Sequence, residues 1–247
     1  FVTEIITPKA LPQNLTKLDE RDSTDGTYVY SRVPGNQFRK IFFEFELGES
    51  LEVTKAQKPI IAMDYRVSGE AERQLKAFVV VDSEGEVTLN LAKSKINLLT
   101  GEERTTVDKV QLPALPKEVC ENIHSVLLTK SADGVMVADC DGMVYRYNTR
   151  DIDSPILAEK IDILSQNATL TTFDFLLGEQ AIVAGGSDGS LDVFFILDRE
   201  GANTEDGQSL SKGRPFASSK SPIVGFAPSD RGKSFAVALE NGDLRVL

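Results

Sequence analysis

The side chains that could do chemistry in this chain are few and scattered. One histidine, His124, stands beside Ile123 just ahead of an apolar run. A catalytic imidazole needs a nucleophile or carboxylate held against it, and no motif supplies one, so His124 reads as a structural or surface residue. Asp139, Asp141, Asp151 and Asp153 concentrate carboxylates locally. Asp139-Cys140-Asp141-Gly142 opens like a calcium loop, but Val144, Tyr145 and Tyr147 stand where further oxygen ligands would be needed. These acids read as solvated turn residues. Gly185-Gly186-Ser187-Asp188-Gly189 has the glycine content of a phosphate loop. It lacks the P-loop lysine and lies between two strand-like runs rather than before a helix, so it too reads as a turn. Nothing has zinc-ligand spacing. Cys120 and Cys140 are too few for a disulfide framework and read as reduced, small apolar residues, with a pairing left open. No catalytic, cofactor-binding or metal residue is assigned, and the expectation is a chain that is not an enzyme.

What would position such residues is a repeated strand–turn–strand unit. Ala181–Asp198 (AIVAGGSDGSLDVFFILD) is two apolar runs around an Asp-Gly pair. That is a strong hairpin signal, because the tight turn needs φ > 0 and glycine supplies it without strain. The unit recurs as AFVVVDSEGEVTLNL from Ala77, GVMVADCDGMVYRY from Gly134 and SFAVALENGDLRVL from Ser234. The turn glycines Gly85, Gly142, Gly189 and Gly242 are separated by 57, 47 and 53 residues, near the ~40–50-residue period of WD-type and kelch blades. A further strand precedes each hairpin: Ile60–Val67, Ser125–Lys130, Leu170–Leu177 and Ile223–Ala227. The polar stretches after the hairpins, such as 92–108 and 199–215, leave room for a fourth strand.

Each unit is a small antiparallel sheet that cannot bury both faces alone and must stack on its neighbours. The expected fold is therefore all-β: a WD-repeat-like β-propeller with four to five recognisable blades, ring closure left open. It forms one domain over 1–247. Residues 1–50 are a lead-in and partial blade, with strands at Tyr28–Val33 and Lys40–Leu47. The blades fall near 51–108, 109–160, 161–215 and 216–247. A β-sandwich is the competing architecture. Asp151–Asn167 reads as a long connection with one helical turn, interrupted by Pro155.

The 247 residues are 41% hydrophobic and 26% charged, an ordinary globular composition, with a net charge of −11. That charge repels phosphate backbones and anionic lipid, which disfavours nucleic-acid binding and electrostatic membrane docking. No run of ~18 apolar residues is present, and no signal peptide opens the chain. Beginning at Phe1 and ending in mid-pattern at Leu247, it reads as a piece excised from a longer protein.

Two stretches carry a family resemblance. Ile182–Phe216 contains a hairpin, an apolar-aromatic run through Phe194 to Asp198-Arg199-Glu200, a polar insert and Arg214-Pro215-Phe216. Ile223–Leu247 continues with IVGFAPSDRG. Together they resemble the WD-repeat-like extracytoplasmic region of bacterial phosphate ABC transporter permeases. Many relatives carry Trp at the position of Phe194, and this chain has no Trp. The resemblance implies a periplasmic domain of a permease embedded in a bacterial inner membrane. Its partners would be a second permease, an ATPase and a periplasmic phosphate-binding protein. The domain would then serve phosphate transport as a docking or regulatory surface. The alternative is a cytoplasmic WD-repeat scaffold in a multiprotein assembly. A propeller enzyme would require three or more acids converging at one end of the central channel.

Overall fold

In a computed structural model of the chain, the described residues are 27–33, 37–43, 58–70, 73–165, 167–176, 178–179, 181–198, 204–229 and 234–247. The chain divides into two units, Phe1–Glu52 and Val53–Leu247. In the first unit, β1 (Thr27–Val33) and β2 (Gln37–Phe43) form an antiparallel hairpin with Val29 opposite Ile41. The second strand thus starts three residues before the expected Lys40, and Phe45 and Leu47 lie outside the described residues.

The second unit is a series of antiparallel sheets. The first blade is β3 (Ile60–Glu70), β4 (Arg73–Asp82), β5 (Val87–Ile96) and β6 (Glu103–Gln111). After a four-residue helix, α1 (Lys117–Cys120), the second blade is β7 (Ile123–Leu128), β8 (Gly134–Asp139), β9 (Met143–Asn148) and β10 (Ile156–Asp162). The third is β11 (Leu170–Leu176), β12 (Ala181–Gly186), β13 (Ser190–Asp198) and β14 (Gln208–Ser218). The fourth has three strands, β15 (Ile223–Pro228), β16 (Phe235–Leu239) and β17 (Leu244–Val246). Every sheet runs in sequence order. First strands are neighbours between blades, β3 beside β7, β7 beside β11 and β11 beside β15, so they form the inner rim. This is a WD-repeat-like propeller architecture whose ring is not closed.

Stacking explains the residue pattern. Val135 and Val137 of β8 pack toward the first blade with Val79, Leu89 and Leu91. Met136 and Ala138, one residue out of phase, pack toward the third blade with Ile182 and Phe194. In β12, Ile182 and Ala184 face the second blade, while Ala181 and Val183 face the fourth with Val237 and Leu239. Strands covered on both faces need no polar alternation, so VMVA and AIVA read as continuous apolar runs.

The expected connection at 151–167 is instead β10. Pro155 ends a turn and the strand starts at the next residue. The apolar spacing that suggested a helical turn comes from a β-bulge between Leu157 and Glu159, which shifts the phase of the strand by one residue.

The repeated turn has a specific form. Gly85, Gly142, Gly189 and Gly242 have φ of 87°, 90°, 81° and 88°. Each donates its N–H to the carbonyl three residues earlier. The preceding Glu84, Asp141, Asp188 and Asn241 are not among the positive-φ residues. The turn is therefore a type I turn closed by one left-handed glycine, not a two-residue I′ turn. Asp82 and Asp139 complete it, each Oδ1 accepting two backbone N–H groups of the turn. In three blades the chain leaving the outer strand passes directly over the glycine. Leu115, Ile163 and Ser219 donate their N–H to the carbonyls of Gly85, Gly142 and Gly189. A Cβ on Gly189 would lie 2.2 Å from the Ser219 carbonyl oxygen, whereas one on Gly242 meets nothing within 4 Å.

Gly242→Ala is expected to lose only the left-handed backbone preference, about 1–2 kcal/mol. Gly189→Ala should lose more than twice as much, because the crossing backbone must also move. Urea unfolding of both variants against the parent chain checks the contrast; equal losses would show that the crossing segment yields freely.

Candidate functional site

The structure gathers charge in two places that the sequence did not single out. On the inner rim, Asp64 and Arg66 of β3 point across to the last residue of β7. The Leu128 N–H donates to Asp64 Oδ2 at 2.8 Å, and Arg66 Nε donates to the Leu128 carbonyl at 3.1 Å. Two side chains thus satisfy both backbone groups of Leu128 on the edge of an inner strand, where they would otherwise be bare. Arg66 also meets Asp64 Oδ1 at 3.0 Å and Glu179 Oε1 at 3.7 Å, and its guanidinium lies 5.8 Å from the Phe175 ring centroid.

Glu179 itself has φ of 73° and follows Gly178 at 64°. A left-handed non-glycine residue is uncommon. Here its carboxylate is held by the Lys130 N–H at 2.6 Å. Asp174 completes the group from β11. Burial pushes its carboxyl above the usual range, while the Phe175 N–H and Arg66 pull the other way. Three acids from the first and third blades therefore surround one arginine. Asp64 and Glu179 are taken up by backbone and by Arg66, so the cluster ties three inner strands together. Among the described residues no group of three or more ligating side chains could hold a metal ion.

The second cluster lies between the outer strands of the second and third blades. The bulge in β10 puts Glu159 directly opposite Arg146 of β9. Arg146 Nε donates to Glu159 Oε2 at 3.1 Å. Its two terminal nitrogens donate to both oxygens of Asp206 at 2.8 Å, and one also reaches the Gln208 carbonyl at 2.6 Å. The third blade returns the contact, with Ser209 Oγ and the Leu210 N–H donating to Glu159. Arg146 is 3% exposed and Glu159 8%. Burial disfavours the Arg146 charge, but the hydrogen bonds of Asp206 and Glu159 outweigh it and raise its pKa. Those of Arg146 hold the Asp206 carboxyl well below the usual carboxylate range. A bidentate, desolvated pair of this kind fixes geometry as well as energy.

The residues singled out in the sequence have local roles. His124 is half-buried on β7, with Nδ1 3.1 Å from Ser125 Oγ and a hydrogen bond to the Thr171 backbone of β11. It stitches two inner strands together. Burial lowers its pKa, against the effect of the Thr171 bond. Asp139 is not a solvated acid; it is 7% exposed and organises the turn, and its carboxyl is raised by burial. Asp151 accepts the Asp153 N–H at 3.1 Å in an exposed turn. Gly185 and Gly186 end β12, and a Cβ on Gly185 would come 2.4 Å from Thr172 Cγ2. Cys120 and Cys140 are both free thiols, with pKa raised by burial. Phe194, in the run that carried the family resemblance, packs in the core at 2% exposure. Arg199 and Glu200 lie outside the described residues. Sequence reading missed both clusters because their cross-blade members, Arg66 with Glu179 and Arg146 with Asp206, lie far apart in the chain. The one local hint was a run of charged residues in β10, AEKID.

No family model and no curated protein matches the chain. Among solved structures it is similar to the β-propeller domain of Cps50 (Swd1) from Myceliophteria thermophila, at 16% identity and a TM-score of 0.49. The match covers 78% of this chain and 60% of that one, so the chain spans about three-fifths of that structure. The architecture rests on the sheet order and register given above. No described helix is long and apolar enough to cross a membrane.

Asp206→Ala is expected to destabilise the chain by about 1–3 kcal/mol, because the terminal nitrogens of a buried guanidinium lose their carboxylate while Glu159 still balances its charge. Replacing Arg146, Glu159 and Asp206 together by apolar residues should cost far less. Denaturant unfolding of both variants tests this.

His124 has a lowered native pKa, so the unfolded chain binds the extra proton first as pH falls. Stability should be fully present above about 6.5 and decline below it. A His124→Gln variant should flatten the decline of the stability profile below about pH 6.5.

Proposed function

We infer that this chain is a protein-interaction propeller, holding other polypeptides rather than transforming a small molecule. One observation carries the reading. β3 of the first blade and β17 of the fourth expose apolar side chains on the face turned away from the neighbouring blade. On β3, Met63 is 58% exposed, with Tyr65 and Val67 beside it. On β17, Leu244 and Val246 are 70% and 73% exposed, and they lie opposite Ala238 and Ala236 in register. Apolar surface concentrated this way marks contact with other protein. The charged groups of the inner rim are engaged with one another, which suits a rigid frame better than paired acid–base catalysis.

A WD-repeat scaffold in a multiprotein assembly is the reading this favours. A second reading keeps the domain in a phosphate ABC importer, on the periplasmic side of a bacterial inner membrane. The resemblance of Ile182–Phe216 and Ile223–Leu247 supports it. Its partners there would be the phosphate-binding protein, the second permease and the ATPase of the transporter.

Photo-crosslinkers at Met63 and Leu244 in the intact protein, expressed in its own cells, separate the readings by mass spectrometry. The scaffold reading expects adducts with other proteins of one assembly. Adducts with a periplasmic phosphate-binding protein would favour the transporter. Adducts confined to the chain itself would overturn both.

A further inference from the structure

The strands of the first blade are longer than those of the second: β4 and β5 have 10 residues each, while β8 and β9 have six. The core between these blades reaches Ala77, Leu91 and Val110. Beyond it the first blade projects, and on the face turned toward the second blade it carries a row of cations. Arg73 of β4 lies opposite Lys95 of β5, which lies opposite Arg104 of β6. All three are exposed. None has an ion pair or hydrogen-bond partner among the described residues. The next cation on this face, Lys93, is already engaged by Asp108 at 2.8 Å.

Like charges placed directly opposite across strands destabilise a sheet. Three in register, with Glu102 in the lining of the cleft beside them, leave a net positive row that an anionic counterpart can neutralise, in a protein whose own net charge is −11. A cleft of about 650 Å³ runs along the row, with Leu75 and Thr106 in its lining. At its end the β5–β6 turn presents Leu98 and Leu99, exposed by 73% and 96%. Cations beside two bare leucines match one chemistry: carboxylates with apolar side chains next to them.

We propose that this end of the first blade docks an acidic, leucine-rich peptide segment of a partner protein. The segment's carboxylates pair with Arg73, Lys95 and Arg104, and its apolar side chains cover Leu98 and Leu99. An anionic bilayer is the weaker fit, because the whole chain carries charge of the same sign as the membrane. The proposal rests on the protein-interaction reading but uses different residues. The crosslinks at Met63 and Leu244 therefore test that reading, and the variants below test this one.

The probe is a fluorescein-labelled twelve-residue peptide of Glu and Leu, followed by anisotropy against the chain. Binding should weaken with added salt. The Arg73→Gln, Lys95→Gln, Arg104→Gln triple variant should bind about tenfold more weakly, the scale of three exposed charge pairs. Its melting temperature should be unchanged or higher, since the repulsion is relieved. Leu98→Ser with Leu99→Ser should also weaken binding, and a Gln/Leu peptide of the same length should bind poorly. The proposal is overturned if the wild-type chain does not bind the acidic peptide, or if the triple variant binds it equally well. It is also overturned if phosphatidylserine vesicles, offered in competition, capture the chain through the same three cations in preference to the peptide.

Discussion

Three blades depend on a single crossing. The chain leaving each outer strand returns over the hairpin turn inside the same sheet and gives its N–H to the carbonyl of the turn glycine. That close approach excludes a Cβ at Gly189, and at Gly85, where one would lie 2.5 Å from the Leu115 carbonyl oxygen. The glycine thus bends the hairpin and docks the segment that leads to the next blade. Because that segment is fixed there, the next inner strand starts in a set place and the two sheets meet face to face. Apolar burial then does the rest, with alternate residues of one strand serving opposite interfaces. The fourth blade has the same turn, at Gly242, with no segment crossing over it among the described residues, and its outer face carries the exposed Leu244 and Val246.

Charge complements this apolar frame at two depths. On the inner rim Asp64 and Arg66 stand in for a neighbouring strand, bonding both backbone groups of Leu128. At the outer interface Arg146, Glu159 and Asp206 lock the second blade to the third. Desolvated ion pairs contribute specificity as much as stability. Here they define which sheet faces which, and at what height. The row at Arg73, Lys95 and Arg104 differs in kind, since its charges are all of one sign and face solvent.

Much of the fold was legible in the chain. The spacing of Gly85, Gly142, Gly189 and Gly242 identified the repeating hairpin, and the apolar runs identified the strands, because turn geometry and strand burial are set by residues close in sequence. β10 was not legible. Its bulge broke the two-residue alternation, and Pro155 suggested an interruption where it only marks the strand's start. The charge clusters were invisible for another reason. Arg146 and Asp206 are 60 residues apart, and Arg73 and Arg104 join one row only through the pairing of three strands.

The sequence by itself therefore determined the unit: strand, tight turn with a left-handed glycine, strand, repeated about every fifty residues. Those features depend on backbone sterics and local hydrogen bonds, which any reader of the chain can evaluate. Only the tertiary structure decided what the units do to one another. It chose which acids are buried and paired, turned Asp139 from a solvated group into a turn organiser, and set side by side three cations that have no partner among the described residues. Those outcomes depend on register and stacking, and both are collective properties of strands far apart in the chain.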